Sequence, residues 1–80
     1  MKYIYVIQSI NHVKQYYVGH TRNLNRRLSQ HNFGQSPHTS RFKPWNLLVA
    51  FRIPDDERAL TFEKYLKSGS GRAFVNRHFR

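Results

Sequence analysis

One segment decides the predicted fold: Tyr16-Tyr17-Val18-Gly19-His20-Thr21-Arg22-Asn23-Leu24-Asn25-Arg26-Arg27-Leu28-Ser29-Gln30-His31. It predicts the end of a strand, a tight turn and a helix, because residues 16–18 are aromatic or β-branched, as strand residues commonly are. Gly19 permits a turn or a close backbone approach. Thr21 or Asn23 can cap the following helix by accepting a hydrogen bond from an N–H of its first turn.

The predicted helix carries two polar side chains on the face that points to the core. Leu24, Arg27, Leu28 and His31 fall at i, i+3, i+4 and i+7 and therefore share one face. Desolvating an arginine and a histidine is costly unless each has a partner or a task. One alternative is that Arg27 lays its stem on the core and keeps its charged head in water; the other is a functional site.

The composition indicates one small basic domain. The chain has 80 residues, enough for a single core. Its 14 Lys and Arg against 4 Asp and Glu give a net charge of +10, which favours a polyanionic partner, first nucleic acid and then an anionic membrane surface. The absence of cysteine excludes disulfides and zinc–thiolate sites. With no apolar span or signal peptide, we expect a cytoplasmic protein without a membrane partner or small-molecule substrate.

The order of elements predicts an α+β fold across residues 1–80, with a small three-stranded antiparallel sheet flanked by helices (β-β-α-β-α plus a C-terminal helix). Strands are predicted at residues 2–8, 16–19 and 45–53. The first strand is apolar on both faces and is therefore expected in the interior. In the third strand, strict alternation would place Trp45, Leu47, Val49, Phe51 and Ile53 on one face. A helix is predicted from the Asp55 cap to about Lys67, then a chain break at 68–71 and a short helix at 72–79.

Glu63 is the one acidic residue that the predicted helix start does not explain. The other three acids, Asp55, Asp56 and Glu57, suit the positive end of the helix. Glu63 falls on the apolar stripe with Ala59, Phe62 and Leu66. It could pair with Arg27 in a buried salt bridge, or it could have a functional role.

Four positions in order resemble the GIY-YIG endonuclease superfamily. Tyr3-Ile4-Tyr5 and Tyr17-Val18-Gly19 resemble its paired motifs, Arg27 follows the second motif tyrosine by ten residues, and Glu63 matches the later helical glutamate. The resemblance covers nearly the whole chain. It is closest to small stand-alone bacterial members, which are similar to the nuclease domain of the excinuclease C subunit, and residues 62–74 are typical of that group.

The chain also departs from the family pattern. Tyr3 replaces the first motif's glycine, and Val18 replaces the second motif's isoleucine. His20 stands where the excinuclease group carries a lysine. His31 matches a histidine of the homing-enzyme branch, and Asn76 is a candidate for the asparagine that the family often has near its site.

The resemblance implies metal-dependent hydrolysis of a DNA phosphodiester. Glu63 would hold a divalent ion, Mg²⁺ or Mn²⁺. Arg27 would neutralise phosphoryl charge with bidentate geometry, and Tyr17 would act as general base or relay the water's proton. An unperturbed tyrosine is about one part in a thousand phenolate at pH 7, and a nearby cation can lower its pKa. Tyr5 would orient the water or share its proton, and His31 would assist or hold phosphate.

Basic side chains spread along the sequence predict a nucleic-acid surface: His20, Arg22, Arg26, Arg41, Lys43, Lys67 and Arg72. Without a separate reader domain, we expect recognition of the backbone and shape of DNA, including branched or damaged DNA in repair, with affinity that falls with salt. Alternatives remain open. Tyr5 and Tyr17 could be core residues with wet hydroxyls, and the basic residues could form only a solvated face. The chain could also be a weakly catalytic DNA- or RNA-binding module of the same fold, or a ribosome-associated RNA-binding protein.

Overall fold

Three antiparallel strands form one sheet in the spatial order β2-β1-β3. The computed structural model describes residues 1–80, and the elements follow the predicted order: β1 Lys2–Ser9, β2 Tyr16–Thr21, α1 Leu24–Asn32, β3 Trp45–Ile53, α2 Asp56–Leu66 and α3 Gly69–His78. None of the helices combines the length and apolarity needed to cross a membrane. The predicted α+β class is confirmed.

The central strand, β1, is covered on both faces, as its sequence predicts. Ile4 and Val6 belong to one core cluster, whereas Tyr5 and Ile7 belong to another on the opposite face. All four side chains are fully buried. Successive strand residues point to opposite faces, so an apolar run without alternation is the expected sequence of a strand buried on both sides.

The third strand does not keep a single alternation, and the predicted one-face arrangement is wrong. A bulge shifts the register opposite the Val6–Ile7 step of β1, which leaves Leu48 as the extra residue of β3. Trp45 and Leu47 therefore pack with Tyr5, whereas the later residues Val49, Phe51 and Ile53 pack against the other cluster. An added residue reverses the side-chain alternation that follows it, and this is why one strand serves both cores.

Helices cover the two faces of the sheet unequally. On one face α1 contributes Leu24 and Leu28. On the other, α2 and α3 contribute Ala59, Leu66 and Val75. Each helix begins with a side-chain cap, in which an oxygen accepts a hydrogen bond from a first-turn N–H: Asn23 for α1, Asp55 for α2 and Ser68 for α3.

The last helix begins three residues earlier than predicted. A break between the two helices exists, but it covers only Lys67 and Ser68 and not residues 69–71, because the Ser68 hydroxyl caps α3 by accepting from the Gly71 N–H, so the helix starts at Gly69. Gly71 is buried where α3 meets the end of α2, and a Cβ there would collide with the Tyr65 carbonyl. This glycine therefore permits close helix packing and does not interrupt the chain.

Replacing Gly71 with alanine should destabilise the fold, whereas Gly69→Ala should not. The Gly71→Ala methyl meets rigid backbone, and such overpacking costs about 3 kcal/mol of unfolding free energy. A Cβ at Gly69 meets nothing within 4 Å, and alanine is favoured over glycine in a helix by up to about 1 kcal/mol. Urea denaturation of both variants measures the difference. Equal stability would contradict the packing role of Gly71.

Candidate active site

The residues predicted to act together meet around β2, which is an edge strand of the sheet. Along β2, Tyr17 and Gly19 face the α1 side, whereas Val18 and His20 face the side covered by α2 and α3. The strand register gives these orientations, because Gly19 lies opposite Tyr5 and His20 lies opposite Ile4. The site therefore has two halves, one on each face of the edge strand.

Gly19 allows the two motif tyrosines to approach each other. An ideal Cβ at Gly19 would lie 2.5 Å from the Tyr5 hydroxyl oxygen and 2.9 Å from a ring carbon of Tyr17. Without a side chain there, the Tyr5 ring lies across β2 with its centroid 6.3 Å from that of Tyr17. The two motif tyrosines therefore lie close together, and the glycine permits this close approach.

The Tyr5 hydroxyl is the centre of the first half of the site. It forms a 2.7 Å hydrogen bond with His31 Nε2 and accepts one of 3.3 Å from Arg27 Nε. His31 Nδ1 forms a further 2.6 Å hydrogen bond with the Thr39 hydroxyl. Thr39 is held in turn, because its carbonyl accepts a 2.8 Å bond from the Trp45 indole. The chain of bonds joins β1, α1 and the loop before β3.

Burial determines the protonation states of Tyr5 and His31. It is the main reason that the pKa of Tyr5 is raised, so Tyr5 is a neutral phenol at pH 7. Burial, followed by the charge of Arg27, lowers the pKa of His31 to about 4, so its imidazole is neutral. The bond to Tyr5 raises the pKa of Arg27, which remains a cation. One fixed positive charge therefore lies against two neutral hydrogen-bonding groups.

Two groups of this half remain available to a substrate. Tyr17 is partly exposed, and its ring lies 5.3 Å from the His31 ring. Arg27 donates from Nε to Tyr5 and from Nη1 to Gln30, the latter at 3.0 Å, and it also interacts with the Tyr17 side chain, which helps to raise the pKa of Arg27. The Tyr17 phenol and the Arg27 guanidinium therefore lie side by side at this edge of the sheet. His31, in contrast, is fully buried, so the phosphate contact expected as one of its two roles is out of its reach.

Glu63 forms the second half of the site. Its side chain is only 12% exposed; Oε1 accepts a 2.8 Å bond from His20 Nδ1, and Oε2 lies 3.3 Å from Lys67 Nζ. The alternative of a buried Arg27–Glu63 salt bridge is wrong, because each residue has other partners. The halves still interact electrostatically, since the Glu63 carboxylate is the smallest of the causes that raise the pKa of Tyr5.

The oxygen atoms of Glu63 are compatible with a divalent ion that needs few ligands from the protein. No three His, Cys, Asp or Glu side chains are placed so that together they could hold a metal ion, so the protein offers a single carboxylate here. Mg²⁺ typically takes one or two carboxylates, completes its octahedron with water and substrate phosphate, and needs no full protein cage. Each carboxylate oxygen keeps a lone pair beyond its bond to His20 or Lys67, and Lys67 is 54% exposed and able to swing away.

The other predicted binding residues lie on several elements: Arg22 before α1, Arg26 in α1, Arg41 and Lys43 in the segment before β3, and Arg72 in α3. Arg22 donates a 2.6 Å bond to Asp56, which also binds the terminal amine, so part of its charge is already neutralised. Four of the predicted binding residues are exposed and form no ion pair: Arg26, Arg41, Lys43 and Arg72. Asn76 lies outside the cluster, because its side chain accepts a 3.0 Å bond from Arg80 on an exposed face of α3.

Two residues of the cluster were not found from the sequence. Gln30 follows Arg27 by three positions, a spacing that places both on one helix face and could have suggested the contact. Thr39 offered no comparable signal. It belongs to an irregular loop, where side chains have no periodicity, and only the tertiary fold brings its hydroxyl to His31.

Comparisons with known proteins agree with this architecture. The family model described as the GIY-YIG catalytic domain matches residues 1–77. The structure-specific endonuclease subunit SLX1 of Debaryomyces hansenii is 34% identical over 71 residues, covering 80% of this chain but 20% of its own. The chain thus spans about a fifth of this curated relative's length. The solution NMR structure of the UPF0213 protein BH0048 of Bacillus halodurans has a TM-score of 0.59 at 24% identity, covering 99% of this chain and 87% of that one, and shows the fold.

The buried His31 should make stability depend on pH. Its folded pKa of about 4 lies below the ordinary 6.5, so the unfolded state binds more protons between these values. Unfolding free energy should therefore fall as the pH drops from 6.5 to about 4, by about 3 kcal/mol in total. His31→Gln should remove this dependence, while His38→Gln at an exposed position should retain it.

Urea denaturation at pH values from 7 to 4 measures the effect in the three proteins. If the His31→Gln and His38→Gln proteins lose stability in parallel over this range, the buried imidazole is not its source.

Proposed function

The chain belongs to the family of GIY-YIG catalytic domains, and on this premise we propose that it is a metal-dependent endonuclease that hydrolyses DNA phosphodiester bonds. The curated relative is named as a structure-specific endonuclease subunit, which supports nuclease chemistry. The observation that carries the proposal is the adjacent pair of Tyr17 and Arg27 side chains beside the edge strand, with the Glu63 carboxylate on its other face.

Tyr17 is the proposed general base for the attacking water. Its side chain is partly exposed, so water can reach it, as proton transfer from water requires. The neighbouring Arg27 has no carboxylate partner to neutralise its charge. The geometry therefore supports Tyr17 in preference to Tyr5, whose hydroxyl is fully buried and already bonded.

Arg27 is the proposed phosphate ligand. Two of its nitrogens are fixed by Tyr5 and Gln30, so the guanidinium is oriented before a substrate arrives. A preoriented cation stabilises charge that develops on the phosphoryl oxygens at little reorganisation cost. In this proposal Tyr5 and His31 are positioning residues, since Tyr5 accepts a bond from Arg27, His31 bonds Tyr5, and neither is exposed to a substrate.

Glu63 is the proposed metal ligand. Mg²⁺ or Mn²⁺ bound there supplies Lewis-acid stabilisation of the phosphoryl and leaving oxygens. His20 and Lys67 keep the carboxylate ordered within the strongly positive domain. The charge of +10 supports a DNA backbone as the partner and draws it to the site by long-range attraction. Branched or damaged DNA in repair is the proposed setting.

Glu63→Gln should abolish metal-dependent cleavage, and Glu57→Gln should not. The two changes are chemically identical and lie on the same helix, but Glu57 is exposed in the first turn of α2. We expect a loss of about a hundredfold or more for Glu63→Gln, the scale of a lost metal contact. Supercoiled and branched DNA with Mg²⁺ or Mn²⁺, and proteins purified identically, provide the assay. Equal cleavage by wild type and Glu63→Gln indicates a contaminating nuclease; binding without any cleavage favours the binding-module alternative.

Substitution of the two motif tyrosines should have different effects: one should reduce cleavage and the other should reduce stability. Tyr17→Phe should lower cleavage by about a hundredfold or more, as for a lost general base, and change stability by less than about 0.5 kcal/mol. Tyr5→Phe should lower the free energy of unfolding by about 1–3 kcal/mol, because the buried His31 loses its hydrogen-bond partner. Cleavage rates and urea denaturation of both variants test this. Normal cleavage by Tyr17→Phe would exclude it as the base.

A further inference from the structure

A cavity of about 310 Å³ lies beside the second half of the site. It opens between β2, the loop that precedes it and the junction of α2 with α3. Lys67 lines it and is also paired with Glu63. A molecule in the cavity therefore lies beside the Glu63 half of the proposed site.

The cavity is cationic. Lys14, Lys67 and Arg72 line it, and no acidic side chain does. Lys14 and Arg72 have no ion-pair partner elsewhere in the protein. Three of the four acidic residues lie at the start of α2, whereas the cavity lies at its end, about 16 Å away for a helix of 11 residues. Its electrostatics favour a phosphate group.

The remaining walls are suited to a base or sugar. Tyr16, on the same face of β2 as Val18, contributes an aromatic ring with Arg80 4.6 Å from its centre, and Val18 and Leu66 contribute apolar surface. Aromatic side chains commonly stack on unpaired bases, whatever their sequence. The volume lies at the lower end of the range for small-molecule sites, which matches a unit of nucleotide size. A base must leave the helical stack before it can enter such a space.

We propose that this cavity is a nucleotide-binding subsite that holds one unpaired DNA nucleotide next to the scissile phosphodiester, with Lys14 and Arg72 on its phosphate. The proposal rests on the proposed nuclease function and narrows its substrate to DNA that has an unpaired nucleotide beside the cleaved bond. Lys67 links the subsite to Glu63 and is left out of the test for that reason.

Titration of the ¹⁵N-labelled protein, followed by NMR in EDTA at low salt, tests the subsite without catalysis. The probes are thymidine 5′-monophosphate, thymidine and inorganic phosphate. We expect the monophosphate to shift amides of residues 14–18 and 66–72, and to bind more tightly than either fragment. A single-stranded octamer should displace it, and a duplex of equal length should not.

Matched variants assign the phosphate contact. Arg72→Gln and Lys14→Gln should each weaken binding of the monophosphate about tenfold, the scale of one charge-assisted hydrogen bond. Arg77→Gln, which removes the same charge from an exposed position of the same helix, should change it less than about twofold. Amide dispersion verifies folding, and Lys14→Gln serves if Arg72→Gln fails to fold.

The outcomes separate the two proposals. Shifts confined to other residues, equal weakening by all three variants, or equal binding of phosphate and nucleotide would overturn the subsite. If cleavage depends on Glu63 but the cavity does not respond, the nuclease proposal stands alone. If the nucleotide binds in the cavity but cleavage is unaffected by Glu63→Gln, the subsite stands and the nuclease proposal fails.

Discussion

The buried hydroxyl of Tyr5 is the interaction on which the site depends. It bonds His31 and Arg27, and through His31 it reaches Thr39 in the loop before β3. A buried polar group that loses its partner costs about 1–3 kcal/mol, so this chain of bonds fixes how α1 and the loop lie against β1. The orientation of the Arg27 guanidinium follows from the same contacts, which means that the core and the site share one set of constraints.

The site is divided between the two faces of the sheet, and only an edge strand can join them. β2 has no neighbour on its outer side, so the space beside it is open to Arg27 from one face and to Glu63 from the other. Glu63 carries the only acidic charge away from the start of α2, and His20 and Lys67 hold it. A negative group within a positive surface can attract a cation, while the positive surroundings attract phosphate.

The sequence predicted the elements because each leaves a local pattern. The apolar run of β1, the stripe of α2 with Glu63 on it, and the capping side chains Asn23 and Asp55 are all confirmed. The errors arise where tertiary contacts decide. The bulge at Leu48 and the close packing at Gly71 depend on a partner element, and pairing Glu63 with His20 in preference to Arg27 depends on which face each residue occupies. The loop residue Thr39 left no pattern at all.

The two tyrosine motifs are similar in sequence, but the sheet gives them different physical environments. Tyr5 lies on the central strand, where both faces are covered, so its hydroxyl is dry, its pKa is raised and its hydrogen bonds are satisfied within the protein. Tyr17 lies on the edge strand, where its ring packs on His31 and its side chain is partly exposed. A group that exchanges a proton with water must be reachable by water. Strand position therefore gives the two tyrosines different environments: the central one bonds Arg27 inside the fold, and the edge one is accessible to water.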